Sequence, residues 1–228
     1  MTEIRVFEGI LAANKRLAEQ NRRLFGSRDV LVINVLGSPG SGKTTLLEQT
    51  IREVGRTSGL SIGVIEGDVA TRRDAERIGA LGVPVIQINT AGGCHLDANM
   101  LDSVLDELPL SKIDILFIEN VGNLVCPAGF DLGEHAKVTV LSVTEGDDKP
   151  TKYPAAFLKS ACTVITKTDL LAQTNFNMDV AIADLKAINS SLEVFQVCNT
   201  TGDGIEAWTQ WLLAKRNAGR EQDGGDER

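Results

Sequence analysis

The chain has little with which to build an aromatic or disulfide-held core. Phe, Trp and Tyr make up 4% of its 228 residues, and its four cysteines, at 94, 126, 162 and 198, include no CxxC pair. Cysteines spaced so widely and unevenly exclude a zinc ribbon and argue against a secreted disulfide framework, which leaves core packing, metal binding or catalysis. Basic charge is also short, with 23 Lys and Arg against 31 Asp and Glu for a formal net charge of −8. Non-specific binding to nucleic-acid backbones relies on clustered cations, so no nucleic-acid partner is expected and any phosphate binding must be local. No apolar run approaches the roughly 18 residues of a membrane span. The start, MTEIRVFEGILAANKRLAEQ, spaces charges through its length where a secretory signal carries a continuous apolar core. A cytoplasmic protein without a membrane partner is the expectation.

What is present points to one large α/β domain. An apolar fraction of 43% with 24% charged residues is that of a globular protein with a full core. From residue 30 onward, short β-rich apolar runs alternate with helical patterns. The runs are VLVINVL (30–36), SIGVIE (61–66), VPVIQI (83–88), IDILFIE (113–119), KVTVLSV (137–143), CTVIT (162–166) and EVFQV (193–197). They are apolar on nearly every position, as parallel strands covered on both faces must be. Helices fit between them at 43–57, 71–80, 97–107, 151–160, 177–189 and 203–215. The expected fold is α/β and doubly wound, with a seven-stranded, mainly parallel sheet flanked by helices.

Ahead of it, GILAANKRLAEQNRRLF sets Ile10, Leu11, Leu17 and Leu24 among charges, which predicts an amphipathic leading helix. The domain reading is a helical extension at 1–28, the main α/β domain at 29–216 and a disordered tail at 217–228, where GREQDGGDER has no apolar residue. The Gly- and Pro-containing stretch 120–136 is a long connection, and connections of that length are usually functional.

The P-loop carries the chemistry. Gly37-Ser38-Pro39-Gly40-Ser41-Gly42-Lys43-Thr44 matches GxxxxGK[ST] directly after the first run and at the start of a helix, which makes the expected fold a P-loop NTPase and 29–216 its nucleotide domain. Backbone N–H groups of Gly37, Ser38, Gly40, Ser41 and Gly42 can turn around a β-phosphate, Lys43 adds a point charge at the β/γ oxygens, and Thr44, followed by Thr45, offers a hydroxyl to Mg²⁺. Ligands of open α/β sheets bind beyond the C-terminal ends of the strands. There Glu119 supplies a carboxylate to the Mg²⁺ shell, and Gly122 an N–H toward a γ-phosphate. Asp68 and Asp74 follow the second run, where either can orient the attacking water or hold a metal-bound water. Arg72 and Arg73 are weak candidates for an arginine finger, so slow hydrolysis without a partner is expected.

Further along, TKTD (166–169) follows the sixth run. Asp169 can accept from N1–H and the 2-amino group of guanine, and adenine has neither donor. Lys167 can lie along the base, and the loop with Asn199 and Thr200 can approach the guanine carbonyl. The rival class is an ATP-dependent small-molecule kinase or ligase on the same sheet.

These motifs carry a resemblance. GSPGSGKTTL (37–46), EGD (66–68), DAERI (74–78), GGCHLDA (92–98), ENVGNLVCPA (119–128), SVTEGDDKPTKYP (142–154) and TKTDL (166–170) resemble the HypB-type GTPases, which assist nickel insertion into [NiFe]-hydrogenases and are similar in fold to the urease accessory GTPases. The resemblance implies GTP hydrolysis with Mg²⁺ and a GTP-dependent homodimer. It also implies a HypA-type nickel accessory protein and the hydrogenase large subunit precursor as partners, and a Ni²⁺ or Zn²⁺ site from Cys94, His95 and Cys126. Thr166 departs from the Asn usual in the guanine motif, and only His95 and His135 are present, so nickel storage on a His-rich segment is not expected.

Read from the residues alone, Cys94-His95 is a metal site, a thiol nucleophile with its base, or two loop residues. Neighbouring side chains of an extended chain point apart and converge only on a turn, which Gly92 and Gly93 permit. Both Cys94 and Cys126 follow expected strand ends on the P-loop edge. Three ligands fall short of a closed tetrahedral site, so an open or dimer-shared site is the expectation.

Overall fold

The structure, a computed structural model, describes residues 2–68 and 73–223. Among them, seven strands form one sheet: β1 (Leu31–Gly37), β2 (Ile62–Asp68), β3 (Val85–Asn89), β4 (Ile115–Glu119), β5 (Ala136–Ser142), β6 (Cys162–Thr166) and β7 (Glu193–Gln196). Their order is β3-β2-β4-β1-β5-β6-β7, and every strand pair is parallel. Each expected run falls within two residues of its strand. The helices are α1 (Thr2–Ser27), α2 (Lys43–Thr57), α3 (Arg73–Gly79), α4 (Ala98–Leu105), α5 (Cys126–Gly129), α6 (Lys149–Lys152), α7 (Pro154–Leu158), α8 (Met178–Ile188) and α9 (Ile205–Asp223).

The apolar runs have no polar alternation because both faces are covered. Ile33 and Val35 of β1 pack with Leu46, Leu47 and Val54 of α2 and Trp208 and Leu212 of α9. Val32, on the opposite face, packs with Phe25 of α1 and Leu101 and Leu105 of α4. Phe157 of α7 and Ala181 and Leu185 of α8 cover Leu141 and Ile165 on that face further along the sheet. With all strands parallel, their C-terminal ends share one edge, where the connecting loops meet.

Three expectations need correction. The leading helix is present, but its leucines flank the buried stripe and do not form its centre: Leu11 is exposed, Leu17 and Leu24 are half-buried with Leu24 packed against the core, and Ile10's side chain lies outside the described residues. Its buried stripe is Asn14, Ala18, Asn21 and Phe25, at helical spacing. The two asparagines bind loop backbone. Asn14 Nδ2 donates to Asp131 O at 2.8 Å while its Oδ1 accepts from Ala98 N at 2.8 Å, and Asn21 Nδ2 donates to Ala98 O and Leu132 O. The two polar positions of that stripe are invisible to a search for apolar periodicity.

The helix expected at 151–160 is two short ones, because Pro154 has no N–H to continue a helix through Tyr153. The last helix, expected at 203–215, continues to Asp223, so 217–223 are helical where a disordered tail was expected. Residues 224–228 of that stretch lie outside the described residues. The extension has an anchor in buried Arg216, whose guanidinium donates to both carboxylate oxygens of Asp29 at 2.7 and 2.6 Å.

Candidate functional site

β1 delivers the chain to the sheet edge at Gly37, and α2 begins six residues later at Lys43. Between them Gly40 and Gly42 adopt φ of +74° and +93°, which side chains with a Cβ rarely tolerate. Gly42 is the N-cap of α2, so no side chain caps its first N–H groups, and no acidic residue occupies its first turn. Such a helix start is a site for an anion. Lys43 Nζ, buried, donates to Gly37 O and Ser38 O at 3.4 and 3.3 Å and stands 4.0 Å from Glu119 Oε1. Ser41 is fully buried, with its Oγ unpartnered.

The P-loop forms one wall of a cleft of about 620 Å³, with Thr44, Thr45, Asp74, Glu119, Gly122 and Lys167 among its lining residues. Thr44 Oγ1 donates to Glu119 Oε1 at 2.9 Å across 75 residues of sequence, so the two groups expected in a Mg²⁺ shell are in direct contact. Gly122 abuts the P-loop: a Cβ there would lie 2.9 Å from the Pro39 ring and 3.0 Å from its backbone N. Asp74 lines the cleft but is ion-paired to Arg77 at 3.0 Å. The side chain of Asp68 and all of Arg72 lie outside the described residues, and Arg73 opens α3.

Two charged cleft residues were not expected. Glu66 is the cross-strand partner of Glu119 and is 3% exposed, with Oε1 unpartnered; Glu119 Oε2 is unpartnered as well. Burial, then the charge of Glu119, pushes the Glu66 carboxyl up to about 9. Burial also raises Glu119, against the pull of Lys43 and Thr44. Two buried carboxylates with orphan oxygens beside a phosphate loop are a donor set that fits a hard divalent cation such as Mg²⁺. Arg77 also lines the cleft, bonded to Glu48 at 2.8 Å and to Thr45 Oγ1 at 3.2 Å, so the cleft arginine lies one helical turn beyond Arg73. The motif DAERI contained this signal, since an acid and an arginine three apart share a helix face.

At the expected base site, Thr166 Oγ1 donates to Ser41 O at 2.6 Å and Lys167 Nζ to Gly40 O at 2.7 Å. Thr166 thus ties the TKTD segment to the P-loop although it is not Asn. Lys167 takes φ +58° and opens a 3₁₀ turn, Thr168–Gln173, that presents Asp169 at the surface. Asn199 is buried beside Gly42, with Oδ1 unpartnered, and its carbonyl accepts from Gln49 Nε2 at 3.0 Å. Thr200 is exposed and, like Asp169 and Asn199, stands outside the cleft lining.

The second constellation lies on the same sheet edge. Ligand atoms of Cys94, His95 and Cys126 all fall within 4.8 Å of one another, with Cys94 exposed and the other two half-buried. The turn that permits this is present. Gly92 takes φ +91°, Gly93 N donates to Thr90 O at 2.9 Å, and Cys94 Sγ approaches His95 Nδ1 to 3.6 Å. Cys126 opens α5, and Phe130 just beyond it stacks on the His95 ring at 3.9 Å between centroids.

Burial lowers the His95 pKa against the pull of Asp97, which favours the neutral imidazole that binds metals. Cys94 is raised by its contact with Cys126, since two adjacent thiols resist joint ionisation without a cation. Two sulfurs and an imidazole nitrogen suit Ni²⁺ and Zn²⁺ alike, and three donors with one face exposed make an open site. His135 is not in the cluster; its Nδ1 accepts from Val32 N at 2.9 Å. Cys162 in β6 and Cys198, two residues beyond β7, are buried, where a free cysteine is usually a small hydrophobe.

Residues 31–196 match the family described as the CobW/HypB/UreG nucleotide-binding domain. The hydrogenase maturation factor HypB of Escherichia coli is 50% identical over 209 residues, 92% of this chain and 71% of that protein. The chain belongs to the HypB family of hydrogenase maturation factors. The HypB structure from Archaeoglobus fulgidus superposes with a TM-score of 0.84 at 40% identity, covering 90% of this chain and all of that one. The HypB structure from Helicobacter pylori, solved in complex with nickel, gives a TM-score of 0.84 at 36% identity over 90% of this chain and 96% of that one. The matched family is a nucleotide-binding domain, and no described helix is long and apolar enough to cross a membrane.

Proposed function

We propose that the chain is a GTP-hydrolysing metallochaperone that holds Ni²⁺ as cargo for insertion into [NiFe]-hydrogenase. The observation that carries this reading is the Cys94–His95–Cys126 cluster, on loops that leave the same sheet edge as the phosphate cradle and only seven residues from Glu119. A cluster so close to a nucleotide cleft suits a cargo that is held in one nucleotide state and released in another. Zn²⁺ is a competing ligand of the same donors.

In this reading the P-loop N–H groups and Lys43 hold the phosphates, with Thr44, Glu119 and Asp68 around Mg²⁺, which neutralises charge on the transferring group. Glu66, beside Glu119, widens the carboxylate set. Asp74 orients water from α3, and Gly122 meets the γ-phosphate. Asp169 reads guanine, with Lys167, Asn199 and Thr200 around the base, and Thr166 holds that segment to the P-loop.

GTP brings two subunits together at the exposed metal face. A HypA-type accessory protein and the hydrogenase large subunit precursor are the partners that deliver and receive the metal, in the cytoplasm. The open coordination of the cluster supports transfer over storage.

The test is turnover of GTP, ATP and xanthosine triphosphate by the wild-type protein and Asp169→Asn, with Ni²⁺ titrations of the wild-type protein and Cys126→Ser. The expected result is a preference for GTP that moves toward the xanthine nucleotide in Asp169→Asn, and Ni²⁺ affinity at least about tenfold weaker in Cys126→Ser. Equal use of ATP and GTP, or an unchanged Ni²⁺ affinity, would sink the reading.

A further inference from the structure

The segment 94–96 is held from three sides, by Asn120 and Asn123 of the loop after β4 and by Gly67 near the end of β2, and of these Asn120 and Gly67 line the cleft. Asn123 Nδ2 donates to the Cys94 carbonyl at 3.3 Å. Asn120 Oδ1 accepts from Leu96 N at 3.0 Å and also from Val121 N at 3.0 Å. Gly67, at the end of β2, lies so close to Leu96 that a Cβ would meet its Cγ at 2.7 Å. His95 therefore sits between two backbone anchors. The asparagines that make them flank Gly122, the residue pressed against Pro39 of the P-loop.

Asn120 is itself held in one orientation. Its Oδ1 faces two backbone donors, so its amide nitrogen must point the other way, and it donates to Asn34 Oδ1 at 3.2 Å. Asn34, on the central strand, then donates to Glu134 Oε1 at 3.2 Å. Glu134 accepts from Leu132 N at 2.6 Å and from Lys137, whose Nζ also donates to Phe130 O at 2.7 Å. Phe130 closes the circuit by stacking on His95. Asn34 is fully buried, and Asn120 and Glu134 are 1% and 8% exposed, so none can exchange these partners for water without opening the fold. A shift of Gly122 with nucleotide state must carry both asparagines, and with them the carbonyl of Cys94 and the N–H of Leu96.

We infer that Asn120, held in place through Asn34, Glu134 and Lys137, and Asn123, bridged to Gly37 at the end of β1, are positioning residues that transmit nucleotide state to the Cys94–His95–Cys126 cluster. The inference rests on the proposed function, in which the two sites are coupled. Neither Asn34 nor Asn123 lines the nucleotide cleft or supplies a metal ligand. Their removal should therefore leave each site able to bind alone.

The experiment measures Ni²⁺ affinity of the full chain with Mg²⁺-GDP and with a Mg²⁺-bound non-hydrolysable GTP analogue, in the wild-type protein, Asn34→Ala and Asn123→Ala. The ratio of the two affinities is the coupling factor, typically about 5–150-fold where sites are linked. We expect the wild-type ratio to fall to within about twofold of one in at least one variant, with nucleotide affinity of the metal-free protein changed less than about threefold. If Asn34→Ala fails to fold, the partly exposed Asn123→Ala decides. Affinity weakened equally in both nucleotide states, with the ratio kept in every folded variant, would mean a merely structural role and overturn the inference. A wild-type ratio of one would instead overturn the coupling in the proposed function, so the two failures are distinct.

Discussion

Gly133→Ala tests whether α1 is part of the frame of the site or an appendage to it. Gly133 takes φ +91°, and a Cβ there would lie 2.6 Å from the Ala18 carbonyl oxygen, 2.8 Å from Arg22 N and 2.9 Å from Asn21 Cβ. Two of these are backbone atoms of a helix and cannot rotate aside. Backbone strain at such a φ costs about 1–3 kcal/mol. Relief of the clash requires α1 to move off the 131–134 turn. The bonds then at stake are Asn14 to Asp131 O at 2.8 Å, Asn21 to Leu132 O at 3.2 Å and Ala98 N to Asn14 at 2.8 Å. At about 1 kcal/mol net each they add about 3 kcal/mol, for an expected loss of about 4–6 kcal/mol. That is a large share of the roughly 5–15 kcal/mol that holds a domain folded.

The measurement is urea unfolding of the metal-free chain followed by circular dichroism. Gly26→Ala is the control in the same helix, where an added Cβ meets nothing within 4 Å. There, stability should hold or rise by up to about 1 kcal/mol. Because Leu132 follows the segment that carries Phe130 to His95, Ni²⁺ affinity should also fall in Gly133→Ala. A Gly133→Ala protein within about 1 kcal/mol of wild type would refute the docking of α1 on the 131–134 turn.

Two further outcomes follow from the cleft. A Glu66 carboxyl at about 9 when folded, against 4.5 when unfolded, keeps its proton in the native state across that window and loses it in the unfolded one. Its contribution is therefore full below pH 4.5 and is lost as pH rises toward 9, by at most about 1.4 kcal/mol per pH unit. Glu66→Gln should flatten the fall in nucleotide- and metal-free stability between these pH values, and parallel urea-midpoint profiles for the two proteins would count against it. Thr166→Val keeps the side-chain shape but removes the 2.6 Å bond to Ser41 O, which should weaken nucleotide binding by about tenfold, roughly 1.4 kcal/mol. Titration with a fluorescent nucleotide reads this directly, and equal affinities would show that Thr166 does not brace the P-loop.

The amino-acid order alone determined whatever depends on neighbours in the chain. The phosphate cradle was legible because its glycines, Lys43 and Thr44 act through local backbone geometry and the start of one helix. The strands were legible because burial on both faces leaves runs with no polar alternation. The sheet edge shared by Cys94, Cys126 and the P-loop followed from counting strand ends. Tertiary structure decided what depends on register between strands distant in sequence. Glu66 meets Glu119 only because β2 lies beside β4 in matching register. Thr166 reaches Ser41 across 125 residues. Asn34 stood in the sequence as a lone amide within VLVINVL, a visible anomaly in a central strand, but its partners Asn120 and Glu134 lie 86 and 100 residues away. Asn14 and Asn21 were hidden for a different reason. Hydrophobic periodicity detects apolar burial such as that of Ala18 and Phe25, whereas Asn14 and Asn21 dock α1 by satisfying loop N–H and carbonyl groups, which no apolar pattern records.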